Sequence, residues 1–135
     1  VILIDTNVLI DIATEDPVWA EWSLQEFNAA AAMDELAIND VVYAELSVGY
    51  DSVDELDRAI QRVGITLAPI PRAALFVAGR VFQRYRAAGG IRTGVLPVFF
   101  LGAHAAVAGV PLLTRDTRRY RTYFPDLTLI APTHN

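Results

Sequence analysis

The first four residues, Val1-Ile2-Leu3-Ile4, are an unbroken apolar run ended by Asp5-Thr6-Asn7, the pattern of a strand covered on both faces. From Val8 the spacing turns helical, with a break at Asp16-Pro17, and residues 18–33 set Trp19, Trp22, Phe27 and several alanines at helical intervals. A short strand within residues 35–40 stops at Asn39-Asp40 and leads into a helix over 41–50. Ser52 with Glu55 three residues on reads as a capping box, opening a helix that Gly64 stops. Residues 65–70 predict a strand, and a long helix runs from Pro71 to the Gly89-Gly90 pair with its arginines mostly on one side. An apolar helix from Pro97, a short strand at Leu112-Leu113 and a last strand at 127–130 complete the order. Strands alternate with helices. That predicts an α/β fold in one domain spanning 1–135, a three-layer sandwich of about five mostly parallel strands flanked by helices.

One element breaks its own rules. The helix from Pro97 has Leu96 before it and Val98 after it, where a helix start favours a polar cap and acids in the first turn. Residues 95–113 contain no Asp, Glu or Arg, yet Pro97, Gly102, His104, Gly109 and Pro111 interrupt them. They read as a buried helix and strand rather than a membrane span. The opening run is also too short for a signal peptide or a span, so no membrane role is expected.

Composition narrows the class. The 135 residues are 53% hydrophobic and 20% charged, as expected of a globular chain with a real core. The absence of cysteine excludes thiolate metal sites and a disulfide framework and is compatible with a cytoplasmic protein. A net charge of −5 argues against a generally basic scaffold, but every basic residue is an arginine. Arg115, Arg118, Arg119 and Arg121 crowd together, and Arg80, Arg84, Arg86 and Arg92 form a looser group. Arginine pairs bidentately with phosphate, so these groups permit a local phosphate-contacting face; a solvated rim of ion pairs is the plainer reading.

Candidate chemistry lies beyond the carboxyl ends of parallel strands. Val1-Ile4 runs into Asp5-Thr6-Asn7, and Leu112-Leu113 runs into Thr114-Arg115-Asp116. Glu45 flanks the apolar stripe of the 41–50 helix. Singly, these acids have plain readings: Asp5 as a cap for the following helix, Asp116 as a turn residue, Glu45 as a helix-surface group. An acid directly after a buried strand is nonetheless costly unless paired or used. Together the three suggest a carboxylate cluster neutralised by a cation, with Mg²⁺ or Mn²⁺ favoured by an all-oxygen donor set. His104, in the apolar helix, reads as a satisfied core histidine, and His134 lies in the tail. With no lysine, a phosphate-binding GxxxxGK loop is excluded, and a haloacid-dehalogenase-like phosphatase is a poor fit.

The segments LIDTNVLI (3–10), YAEL (43–46), GVLP-x-FF-x-GAHA (94–105), LLTRD (112–116) and RRYRTYFP (118–125) resemble the PIN-domain ribonucleases, specifically the VapC toxins of bacterial VapBC toxin–antitoxin pairs. The resemblance implies a PIN-like fold, an acidic Mg²⁺ site with Mn²⁺ as a substitute, endonucleolytic cleavage of RNA, a homodimer, and a cognate VapB-like antitoxin whose tail lies across the site. It assigns Asp5, Glu45 and Asp116 as catalytic, Asp5 and Asp116 as metal-binding, and Thr6, Asn7 and Thr114 as supporting polar groups. Arg92, Arg115 and Arg118 are candidate RNA contacts. Trp19, Trp22 and Phe27 are available either to the core or to a dimer. Where the family carries a further metal-binding Asp after the proline, this chain has Val98, so the resemblance implies an impaired or inactive nuclease. The alternative is a non-catalytic module that binds RNA or an antitoxin.

Overall fold

The computed structural model describes residues 1–133, so His134 lies outside the described residues. Five strands, β1 (Ile2–Ile4), β2 (Leu36–Ile38), β3 (Thr66–Leu67), β4 (Leu112–Leu113) and β5 (Leu129–Ile130), form one sheet in the order β3-β2-β1-β4-β5. Every pairing is parallel. Helices α1 (Thr6–Ala13), α2 (Ala20–Met33), α3 (Asp40–Ser47), α4 (Val53–Arg62), α5 (Arg72–Ala87), α6 (Leu96–Ala108) and α7 (Thr117–Tyr123) connect and cover them. The α/β sheet expected from the alternation is therefore present.

β1 lies at the centre because its three residues are buried on both faces, as are Leu36, Ala37 and Ile38 beside it and Leu112 and Leu113 on the other side. From β1 the chain winds outward to β2 and β3, then returns to place β4 against β1, with Leu3 opposite Leu112 and Ile4 opposite Leu113. That reversal creates a crevice beyond the carboxyl ends of β1 and β4, the place where open parallel sheets bind ligands.

Local chemistry explains the element ends. Asp16 Oδ1 accepts from the backbone N–H groups of Val18 and Trp19 at 2.9 and 2.8 Å, which makes the turn at Pro17 and lowers the Asp16 pKa. Asn39 caps α3 by accepting from Val41 and Val42, both at 3.1 Å. Ser52 caps α4, but Glu55 reaches the N–H of Asp51 rather than that of Ser52, so the capping box is shifted by one residue. Gly109 ends α6 in the left-handed conformation, φ 68°, which only glycine adopts freely.

Several expectations need correction. α1 begins at Thr6 rather than Val8, and the strand expected over 65–70 shortens to Thr66–Leu67, both exposed. Helix α7 was not expected at all; its residues carry three arginines and no long apolar stripe. Phe27 belongs to the core and Trp22 packs against it, while Trp19 meets Trp22 edge to face and lies under the Arg115 guanidinium. Phe27 is therefore a core residue, while Trp19 and Trp22 remain half-exposed at the surface.

Candidate active site

The chain leaves β1 at Asp5 and turns at once into α1. Asp5 occupies the N-cap position, but its side chain makes no capping bond; the plain reading of Asp5 as a helix cap is overturned. Its Oδ2 instead accepts from Thr114 Oγ1 at 2.9 Å, Tyr120 Oη at 2.9 Å and Asn7 Nδ2 at 3.4 Å. Thr114 is fully buried at the end of β4. Its hydroxyl also accepts from Asn7 Nδ2 at 3.3 Å and from the N–H of Asp116 at 3.0 Å, while Asn7 Oδ1 accepts from the N–H of Arg115 at 3.4 Å. The two strand ends are thus laced together through Asp5, Asn7 and Thr114. Across the opening, Thr6 Oγ1 donates to Glu45 Oε1 at 2.7 Å and draws the α3 acid toward the same edge.

Asp5, Thr6, Asn7, Glu45 and Tyr120 line a groove of about 290 Å³, with Gly94 and, from the first turn of α6, Pro97 and Val98 on its wall. Val98 is buried, 6% exposed, and lines the same groove as Asp5 and Glu45. Burial pushes the Asp5 pKa up; the Thr114 and Tyr120 bonds pull it down, and the charges of Glu45 and Asp116 raise it again. Both acids therefore act on Asp5 electrostatically. Tyr120 is driven well above the ordinary tyrosine range by burial and by Asp5, which keeps its hydroxyl a donor.

Asp116 lies in the connection from β4 and caps α7 through the N–H of Arg119, and its Oδ2 accepts from Arg119 Nε. It is the N-cap of α7 and is not among the residues that line the groove described above. Arg115 borders the groove, yet its guanidinium is held by the buried Asp11 at 2.8 and 3.2 Å, and Ser23 donates to the same carboxylate. Arg92 and Arg118 are exposed and do not line the groove, whereas Arg119 does. The candidate RNA contacts therefore separate, with Arg115 spent internally and Arg119 nearest the acids. Sequence reasoning missed Tyr120, Arg119 and Asp11. Each depends on α7 or on a contact across the fold, and only the ordered spacing of RRYRTYFP after LLTRD carried any signal.

The donor set is oxygen only, which suits a hard divalent cation. Among the described residues, however, no three acids or histidines come together closely enough to hold an ion. Asp116 is turned to Arg119, and Val98 supplies no donor. His104 is buried with its Nδ1 3.3 Å from Asn39 Nδ2, and burial lowers its pKa; it is a core histidine.

The sequence model of the PIN domain matches residues 2–125. The chain belongs to the PIN domain family. No curated protein matches it, but solved structures do. It is similar to VapBC2 from Rickettsia felis, solved bound to a promoter DNA fragment, with a TM-score of 0.73 and 17% identity over 98% of each chain. A toxin–antitoxin complex from Klebsiella pneumoniae matches with a TM-score of 0.68 and 21% identity over the whole of both chains. VapBC-1 from nontypeable Haemophilus influenzae matches with a TM-score of 0.67 and 17% identity over 95% of each. At these identities the structures establish the fold of this PIN domain. PIN domains are generally nucleases and typically depend on divalent metal ions. No helix among the described residues is long and apolar enough to cross a membrane.

Proposed function

We propose that this PIN domain is the toxin half of a type II toxin–antitoxin pair, built as an RNA endonuclease and impaired in this chain at Val98. The observation that carries the reading is the position of Val98: a buried apolar side chain in the first turn of α6, on the wall of the groove that contains Asp5 and Glu45. A carboxylate there would face the acids and complement the helix N-terminus. Valine offers neither charge nor lone pair.

When bound, Mg²⁺ or Mn²⁺ would supply a Lewis acid and an activated water for phosphodiester hydrolysis. Asp5 would hold it, with Asp116 as a second ligand once freed from Arg119. Thr114 and Tyr120 fix the Asp5 carboxylate, Thr6 fixes Glu45, and Asn7 ties the two strand ends together. These groups orient the reactive edge before any ligand arrives, and Arg119 offers a positive charge beside it.

The likeness to VapBC complexes supports a VapB-like antitoxin as partner and a homodimer as the assembled form. Cleavage of RNA in Mg²⁺ or Mn²⁺ by the parent and by Val98→Asp tests the proposal. Activity gained on substitution supports it; equal activity in the two forms overturns the impairment, and no cleavage by Val98→Asp despite metal binding overturns the nuclease reading. In that last case a non-catalytic binding module, favoured by Val98 itself, becomes the better account.

A further inference from the structure

The charges of this chain are divided along its length. All eleven arginines lie at position 58 or beyond, and of the sixteen Asp and Glu residues only Asp116 and Asp126 lie beyond Asp57. The acidic half supplies β1, α1, α2, β2 and α3, together with the groove acids Asp5 and Glu45; the arginine half supplies α5, α6, β4 and α7. Of the arginines, all of which are among the described residues, only Arg115 and Arg119 are in ion pairs. No carboxylate occurs between Arg58 and Arg115 to quench the others locally.

The fold ties part of this charge to α6, the helix whose first turn lines the groove. Tyr85, near the end of α5, meets Phe99 of α6 at 5.7 Å and Tyr123 of α7 at 6.1 Å between ring centroids. Arg84 and Arg86 flank Tyr85 in sequence and are exposed. The loop that follows folds back onto the same ring: Gly90 lies so close to it that a Cβ would overlap it, and the N–H of Arg92 donates to Tyr85 Oη at 3.1 Å. Phe99 adjoins Val98 on α6, and Arg119, one turn before Tyr123, lines the groove. Arg84, Arg86 and Arg92 are therefore mounted on an aromatic stack that reaches the groove wall, with Arg119 continuing the line inward.

Resting on the proposed RNA-directed function, we infer that Arg84, Arg86 and Arg92 form a phosphate-binding shelf that holds an RNA backbone along one side of the groove only. Asp5 and Glu45, which line the groove, repel the backbone from that lining, so charge fixes where the RNA lies. Exposed guanidiniums without carboxylate partners can exchange their solvent shell for phosphate oxygens directly. The packed Tyr85 gives them a fixed platform, and the shelf is separate from the residues placed at the chemistry.

The test is fluorescence anisotropy of a labelled single-stranded RNA with the full chain in EDTA, which reads binding without cleavage, over a series of salt concentrations. Replacing all three shelf arginines (R84Q/R86Q/R92Q) is expected to weaken binding on the order of tenfold and to make the log–log salt slope shallower by about 2, as for three lost phosphate contacts on a single strand. R84K/R86K/R92K is expected to recover most of the affinity, which a merely structural effect would not allow. R58Q/R62Q/R72Q, on α4 and at the start of α5, removes the same three charges elsewhere and is the control for total charge. An equal loss in that control, an unchanged slope in the shelf variant, or competition by poly-glutamate as effective as unlabelled RNA overturns the shelf. Cleavage by Val98→Asp is scored separately, so failure of the nuclease reading and failure of the shelf give different results.

Discussion

Tyr120 Oη donates to Asp5 Oδ2 at 2.9 Å from a ring that is almost wholly buried, across 115 residues of sequence. A neutral hydroxyl bonded to a carboxylate in a site shielded from water is among the stronger single hydrogen bonds. Tyr120→Phe keeps the ring and removes the donor. The expected cost at neutral pH is about 1.5–3 kcal/mol, read by urea denaturation, and an unchanged midpoint would show that Asp5 does not depend on this bond.

Burial, Glu45 and Asp116 together hold the Asp5 pKa above its ordinary value of 3.8. A raised carboxyl is more readily protonated in the folded than in the unfolded chain. Its contribution to stability is therefore fully present below the unfolded pKa and is lost as pH rises through the folded one. Asp5→Asn removes that titration. It is expected to gain stability relative to the parent as pH is raised upward from about 4, measured as denaturation midpoints across pH. A difference that stays flat with pH contradicts the assigned direction.

Val98→Asp places a carboxylate at a position only 6% exposed, beside Asp5 and Glu45. Without metal it is expected to lose on the order of 1–3 kcal/mol through desolvation and like-charge repulsion. A divalent ion at a hundred times its dissociation constant would return about 2.7 kcal/mol. Thermal melts with and without Mn²⁺ check both parts. A larger Mn²⁺ stabilisation of the parent than of Val98→Asp runs against the assignment of position 98.

Arg115 and Asp11 are unequal partners, with side-chain exposures of 34% and 2%. Removing the arginine strands a buried carboxylate that keeps only Ser23; removing the acid leaves a guanidinium that can turn to water. Arg115→Ala is expected to cost about 3 kcal/mol or more, and Asp11→Ala clearly less. Chemical denaturation of the two variants checks the order, and the reverse ranking would contradict the burial argument.

The acidic edge was legible in the sequence because two apolar strands end in the same polar-then-acidic way, and the apolar first turn of α6 was visible as a fault in helix chemistry. Neither observation needs tertiary information. The Tyr120 and Asp11 contacts do need it, since nothing local distinguishes a tyrosine that reaches a carboxylate from one that fills space. Helix α7 escaped notice because a seven-residue helix carries too few positions for periodicity to speak. Asp116 changed its company for the same reason: with α7 present it has Arg119 as a partner.

Gly102 lies against the ring of Phe124, so closely that an added Cβ would overlap it. Gly102→Ala is expected to destabilise by about 1–3 kcal/mol despite the better helix propensity of alanine. Pairing it with Phe124→Leu should recover part of the loss in calorimetric melts; additive losses would show that the ring is not the obstacle.

The pairing of β1 with β4 has a consequence in time. Asp5 is made more than a hundred residues before Thr114 and Tyr120, which hold its carboxylate. Domains complete their folding only after the distant parts of the chain have emerged. A partly synthesised chain therefore carries loose acids, and the groove is assembled only when β4 and α7 have closed against β1.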